Sequence, residues 1–318
     1  MRVKYISPTS LGLFYKNETL YYLRYLAKKR LPREPQTEAM SVGSAFDAFV
    51  KAYLYKNLHG GGGDAQYSLQ ALFESQVAEP LRDWAWNAGH YVFKEYQRSG
   101  ALADIMLGML GSEEEPRFEF DVGGEVGGVP FFGKPDLSFR NKQGARVIYD
   151  WKVNGFCSKN GAAPKKGYVS LGYSSEWDYR RGERGRCNNT VDMAGVLINP
   201  TPFEETNESW ATQLSIYSWC LGIPVGEPTI IGIDQIACKG GGEVGQGLRF
   251  ASHRAIVSRG FQEQTLSTAQ HMWSVINSDW FFRGLTREES QRRCKVLDTY
   301  VLGVEACDDF GFGKERVW

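Results

Sequence analysis

The chain has 318 residues, 42% of them hydrophobic, and its 37 Lys and Arg are balanced by 37 Asp and Glu. That supplies enough apolar material for a full core, in one large domain or in a core plus a helical subdomain. Zero net charge and a pI near 6.9 exclude a protein that coats nucleic acid through bulk charge, so any grip on a polyanion has to come from local patches. No apolar run approaches the roughly 18 residues of a membrane span. The N-terminus lacks the pattern of a secretory signal, and a soluble, cytoplasmic protein is expected. The six cysteines, at 157, 187, 220, 238, 294 and 307, form no Cys-x-x-Cys pair and no zinc-like cadence with the four histidines. They read as reduced structural thiols.

In chain order, residues 10–30 and 43–57 read as amphipathic helices. Phe46, Phe49, Val50, Tyr53 and Leu54 form an apolar stripe on the second, with Asp47 at its edge. After a loop at Gly60–Gly63 come further helical segments at 66–78 and 80–99, which together predict a helical subdomain over 1–116. From Arg117 the period changes to two. Segments 117–122, 129–133, 136–140 and 146–152 are strand candidates joined by glycine-rich turns. About sixty residues rich in Gly, Asn, Ser and Pro follow Lys152, a length that in a compact domain marks a functional or disordered loop; the insertion is placed at about 154–207. A helix over 210–221, strands near 229–238 and 248–257, and helices near 261–281 and 286–299 close the pattern, so 117–318 reads as the core.

The most informative stretch runs from Gly133 to Lys152. Val147 to Trp151 reads as a short buried strand, and alternation puts Asp150 and Lys152 on one face. Asp136 opens the preceding strand, and Asn141-Lys-Gln-Gly144 turns the chain back, so the three polar groups converge at one end of a small sheet. Two carboxylates and a lysine so placed suit a divalent metal and a water aimed at a phosphodiester. On the other side stands a plainer reading, in which Asp136 is a turn residue and Asp150 with Lys152 an exposed pair at a strand end.

Asp136, thirteen intervening residues and Asp150-Trp-Lys152 resemble the active-site signature of the PD-(D/E)XK nuclease superfamily, in its RecB-like branch. Gly133 before the first acid, an aspartate as the second acid, and Gln213-Leu-Ser-Ile-Tyr217 match further elements of that branch. So do Ser7-Pro-Thr-Ser10-Leu and the aromatic run Tyr21 to Tyr25. The chain departs at Gly43-Ser-Ala-Phe-Asp47, where the family has Gly-x-x-x-His with a metal-contacting histidine. Carboxylate oxygen suits magnesium or manganese at least as well as imidazole, so Asp47 keeps a ligand there.

The resemblance implies an α/β, restriction-endonuclease-like core, a central mixed sheet flanked by helices, with an N-terminal helical subdomain. It implies a Mg2+- or Mn2+-dependent deoxyribonuclease, of exonuclease type, acting in recombination, repair or phage DNA processing in a bacterial or phage-infected cell. Asp47, Asp136, Asp150 and the Trp151 carbonyl would hold the metal, and Lys152 would sit beside the attacking water. The DNA substrate is joined by a possible recombination or helicase partner protein. The iron–sulfur cluster of some relatives is not expected, because Cys294 and Cys307 alone do not reproduce its cysteine cluster. The alternatives are a catalytically weak DNA-binding or assembly subunit that keeps the fold, and an enzyme acting on RNA.

Gln213 and Tyr217 share a helix face and would either hydrogen-bond a DNA phosphate, orient Lys152, or belong to a partly buried packing network. The insertion carries Lys165, Lys166, Arg180, Arg181, Arg184 and Arg186 among Phe156, Tyr168, Tyr173, Trp177 and Tyr179. Cations interleaved with aromatics suit frayed or single-stranded DNA; a solvated surface or a protein contact is the alternative. Gly240-Gly-Gly242-Glu-Val-Gly245 matches a dinucleotide fingerprint as text. It fails in context, since the following segment reads as a strand where a helix is required.

Overall fold

The computed structural model describes residues 3–26, 30, 35–60, 64–112, 114–118, 120–154, 190–238 and 248–278. The helical N-terminal part comprises α1 (Pro8–Lys16), α2 (Glu18–Tyr21) running into a π-helical turn, α3 (Glu38–His59), α4 (Leu69–Gln76), α5 (Arg82–Arg98) and α6 (Ala101–Leu110). Then come β1 (Arg117–Phe118), β2 (Val122–Val126), β3 (Val129–Gly133), β4 (Leu137–Arg140) and β5 (Arg146–Asn154). The remainder is β6 (Val191–Met193), β7 (Val196–Ile198), α7 (Phe203–Thr206), α8 (Glu208–Cys220), β8 (Ile230–Cys238), β9 (Leu248–Ala255) and α9 (Arg259–Asn277).

The central sheet is mixed, in the order β1-β4-β5-β8-β9. Only the β5–β8 pair is parallel. A parallel pair needs a crossover, and the chain between β5 and β8 supplies it with α8. Strand β5 therefore lies at the centre and is covered on both faces. Val147, Tyr149 and Trp151 face a core built with α3, α5 and α6 (Phe46, Val50, Val92, Tyr96, Ile105), while Ile148 joins Ile231, Ile233, Leu214 and Trp210 under α8. The expected central sheet flanked by helices is present.

Helix α8 is buried over most of its length because it lies between two layers. Leu214 and Ala211 pack on the main sheet, and Ile216 and Trp219 pack on the β2–β3 hairpin with α1 and α9. It starts where Asn207 accepts a hydrogen bond from the Trp210 amide at 3.1 Å. Helices α3 and α5 approach closely, and a Cβ at Gly89 would stand 2.5 Å from the Cβ of Ala45.

Several sequence boundaries shift. The helix expected over 10–30 breaks at Asn17, whose backbone is extended and whose side chain accepts from the Leu20 amide, restarting the chain as α2. Helix α6 has no counterpart in the sequence reading; its apolar run, with Leu107 and Leu110 exposed, hides the helical period. The strand expected over 117–122 splits between β1 and β2. The end of the stretch read as a loop holds the β6–β7 hairpin and α7. The helix expected near 286–299 and the Gly240–Gly245 segment lie outside the described residues.

Candidate active site

The register of the β4–β5 hairpin builds the site. Leu137 stands opposite Tyr149, and one step further along the same antiparallel ladder Asp136 meets Asp150. The two carboxyl groups share a hydrogen bond. Asp136 Oδ2 also accepts from the Trp151 amide at 3.0 Å, so a side chain closes the ladder where its backbone ends. Alternation along β5 places Lys152 beside Asp150, and the two form a close ion pair.

Helix α8 brings Gln213 and Tyr217 to the same spot. The Gln213 amide donates to Asp150 Oδ2 at 3.4 Å and to the Tyr217 hydroxyl at 3.0 Å, and so stands between the acid and the phenol. Close approach of the Tyr217 ring explains Gly133, where a Cβ would lie 2.5 Å from Tyr217 Cδ1. From α3, Lys51 reaches Asp47 Oδ2 at 2.6 Å and Asp136 Oδ1 at 3.2 Å. The lysine side chain is 1% exposed. Asp150 is also buried, whereas Asp47, Asp136 and Lys152 form a half-open rim.

Burial sets the electrostatics, since it penalises every charge here and makes the groups compete. Asp136 overcomes its desolvation through Lys51, the Asp150 hydrogen bond, Lys152 and the Trp151 amide, and its carboxyl is held down at about 2. Asp150 is pushed well above the ordinary carboxylate range by burial and then by the neighbouring Asp136 charge, against the pull of Lys152. The Lys152 ammonium, despite desolvation, is held above its usual value by Asp150 and Asp136. Burial, followed by the Asp150 charge, raises the Tyr217 phenol, which stays protonated at neutral pH.

The structure thus brings together Asp47, Asp136, Asp150, Trp151, Lys152, Gln213 and Tyr217. The basic set Lys165, Lys166, Arg180, Arg181, Arg184 and Arg186 lies outside the described residues. Sequence reasoning missed Lys51. The available signal was a lysine four residues after Asp47, set within the Phe46, Phe49, Val50 and Leu54 stripe, where a solvated lysine does not belong.

The donor chemistry fits a hard divalent cation. Asp136 and Asp150 offer carboxylate oxygens side by side, and the upward shift of Asp150 marks negative charge that a cation there would relieve. Among the described residues no group of three or more His, Cys, Asp or Glu is gathered closely enough to hold a metal by itself. Lys51 stands between Asp47 and Asp136.

Residues 5–162 match the family model of the PD-(D/E)XK nuclease superfamily. The match takes in Asp47, Lys51, Asp136, Asp150 and Lys152 and ends before Gln213 and Tyr217. The mixed sheet with flanking helices is the restriction-endonuclease-like arrangement of that superfamily. Among solved structures, the chain is similar to a protein from Eubacterium rectale named "Putative exonuclease", at 14% identity and a TM-score of 0.39, over 99% of this chain and 90% of that one. It is also similar to a protein named SSO0001, at 10% identity and a TM-score of 0.24, over 83% and 84% of the two chains. No curated protein matches the chain. Among the described residues no helix is long and apolar enough to cross a membrane.

Proposed function

We propose that this protein is a divalent-metal-dependent DNA nuclease of the RecB-like kind, an exonuclease of recombination, repair or phage DNA processing. The observation that carries the reading is the convergence of Asp136, Asp150 and Lys152 at the half-open end of the sheet, inside the segment that matches a nuclease superfamily. Asp136 and Asp150, with the Trp151 carbonyl, would hold Mg2+ or Mn2+, which when bound supplies Lewis-acid charge for the scissile phosphate and lowers the pKa of water.

The chain's own groups do the rest. Asp136, held ionised at neutral pH, would anchor the cation, and Asp150, whose raised pKa reflects burial beside the Asp136 charge, would be the group whose ionisation a cation there favours. Lys152 stays protonated and sits at the rim, so it holds the attacking water and offsets the negative charge that grows on the phosphate oxygens. Gln213 fixes the Asp150 carboxyl, and the protonated Tyr217 hydroxyl serves as a second hydrogen-bonding group behind it. Arg180, Arg181, Arg184 and Arg186, with Lys165 and Lys166, would grip the DNA backbone.

The test is digestion of end-labelled linear DNA and of a covalently closed circle of the same sequence in Mg2+ or Mn2+. Loss of the linear form with survival of the circle supports an exonuclease. Cutting of the circle would replace exo by endo action, and digestion of RNA alone would replace the substrate.

A further inference from the structure

Lys51 poses a question that the signature residues leave open. An ammonium group this deep is costly unless carboxylates hold it, and Asp47, one turn earlier on α3, and Asp136 both do so. One Asp136 oxygen faces Lys51 and the other accepts from the Trp151 amide, which leaves lone pairs for one further cation on the Asp150 side. The cluster holds three carboxylates, Asp47, Asp136 and Asp150, against two ammonium groups, Lys51 and Lys152. One divalent ion leaves this half-buried cluster with a small net positive charge. Two would leave it strongly positive and would have to displace Lys51 from between Asp47 and Asp136.

We infer that Lys51 is a built-in cation occupying the place a second metal would take, so that the protein binds a single divalent ion, on Asp136 and Asp150, and that Asp47 holds Lys51 and not the metal. This rests on the reading of Asp136 and Asp150 as metal-binding groups. The fixed charge has a consequence for metal use: the ion count per chain is set by Lys51 and does not rise with metal concentration in the working range.

The experiment counts Mn2+ on the full chain without DNA, by calorimetric titration and by loss of the free-ion paramagnetic resonance signal. Wild type should take one ion per chain, and Lys51→Arg should keep that count. Lys51→Gln, which removes the charge, should open a second site, and Lys51→Gln with Asp47→Asn should close it again. Asp47→Asn alone, which leaves Lys51 in place, should keep the count at one with less than about a tenfold change in affinity, the lower bound for losing a partner of a metal ligand. Two ions on the wild type, a larger affinity loss in Asp47→Asn, or a folded Lys51→Gln that still takes one ion would overturn the inference and leave the nuclease reading standing. A wild type that takes no Mn2+ overturns both. If Lys51→Gln does not fold, the wild-type count and the Asp47→Asn titration still decide the matter.

Discussion

Asp150 shows how function and stability pull apart at a single residue. Its carboxyl is buried beside Asp136, and its pKa lies well above the ordinary range. A raised folded-state pKa means that stability is lost as pH climbs past the unfolded value, because the unfolded chain releases the proton first. Asn at this position cannot charge. Asp150→Asn should therefore stabilise the metal-free protein at neutral pH, with the gain vanishing as pH falls below the ordinary carboxylate pKa of about 4, while DNA cleavage is lost. Urea melts at the two pH values check this, and a destabilised variant at neutral pH would show that the Lys152 pair outweighs the crowding of acids. Asp136, Asp150 and Lys152 were legible in the sequence because strand alternation and a short hairpin fix their mutual placement locally. Lys51 was not, because its partner Asp136 lies 85 residues away and nothing local reports that separation.

At the scale of elements, α8 is the piece on which the site leans. It is buried from Leu214 to Cys220, and its Tyr217 ring lies against Gly133 of β3. Gly133→Ala has to push the ring away, and overpacking of this kind costs about 1 to 3 kcal/mol. A shifted Tyr217 also moves Gln213 off Asp150. The variant should lower both the melting temperature and kcat, and a kcat equal to wild type in a destabilised Gly133→Ala would separate Tyr217 from the chemistry. The helix itself was legible from its Gln-x-x-x-Tyr spacing, yet its role as a filler between two layers was not, since a helix with apolar residues on both faces gives no clear period to read. The same reason hid α6. Asn17 marks the opposite case, a polar residue inside a helical pattern whose capping bond to Leu20 ends one helix and starts another.

Across the whole molecule, a second buried cluster braces β5 from the face away from Asp150. Asp234 on β8 accepts from Tyr96 of α5, from Ser252 Oγ at 2.6 Å and from Arg254 Nη1 at 3.1 Å on β9, and Tyr96 in turn accepts from the Trp151 indole at 3.0 Å. Arg254 also lies over the Tyr149 ring at 4.3 Å. Removing one partner of such a pair strands a buried charge, so Asp234→Ala should cost about 3 to 5 kcal/mol in a denaturant melt. A loss within the noise of a surface substitution would show that water replaces the acid. Overall neutrality has its own consequence, because on the proposed function any DNA affinity must be local. Neutralising Arg180, Arg181, Arg184 and Arg186 together should weaken DNA binding and flatten its salt dependence by about one unit of log–log slope per lost phosphate contact, with kcat at saturation little changed. An unchanged slope would point to a protein partner for this segment.

The most direct measurement is cleavage of end-labelled linear duplex DNA by the purified protein in Mg2+ or Mn2+, beside Asp136→Ala, Asp150→Ala and Lys152→Ala, each shown to be folded by circular dichroism. Wild type should degrade the DNA and stop on addition of a chelator, and each variant should fall by at least about a hundredfold, the lower end of what a positioned group contributes to such a step. A wild type inert with both metals, or any one of the three variants cleaving at close to the wild-type rate, would contradict the assignment of this cluster as a metal-dependent phosphodiesterase site.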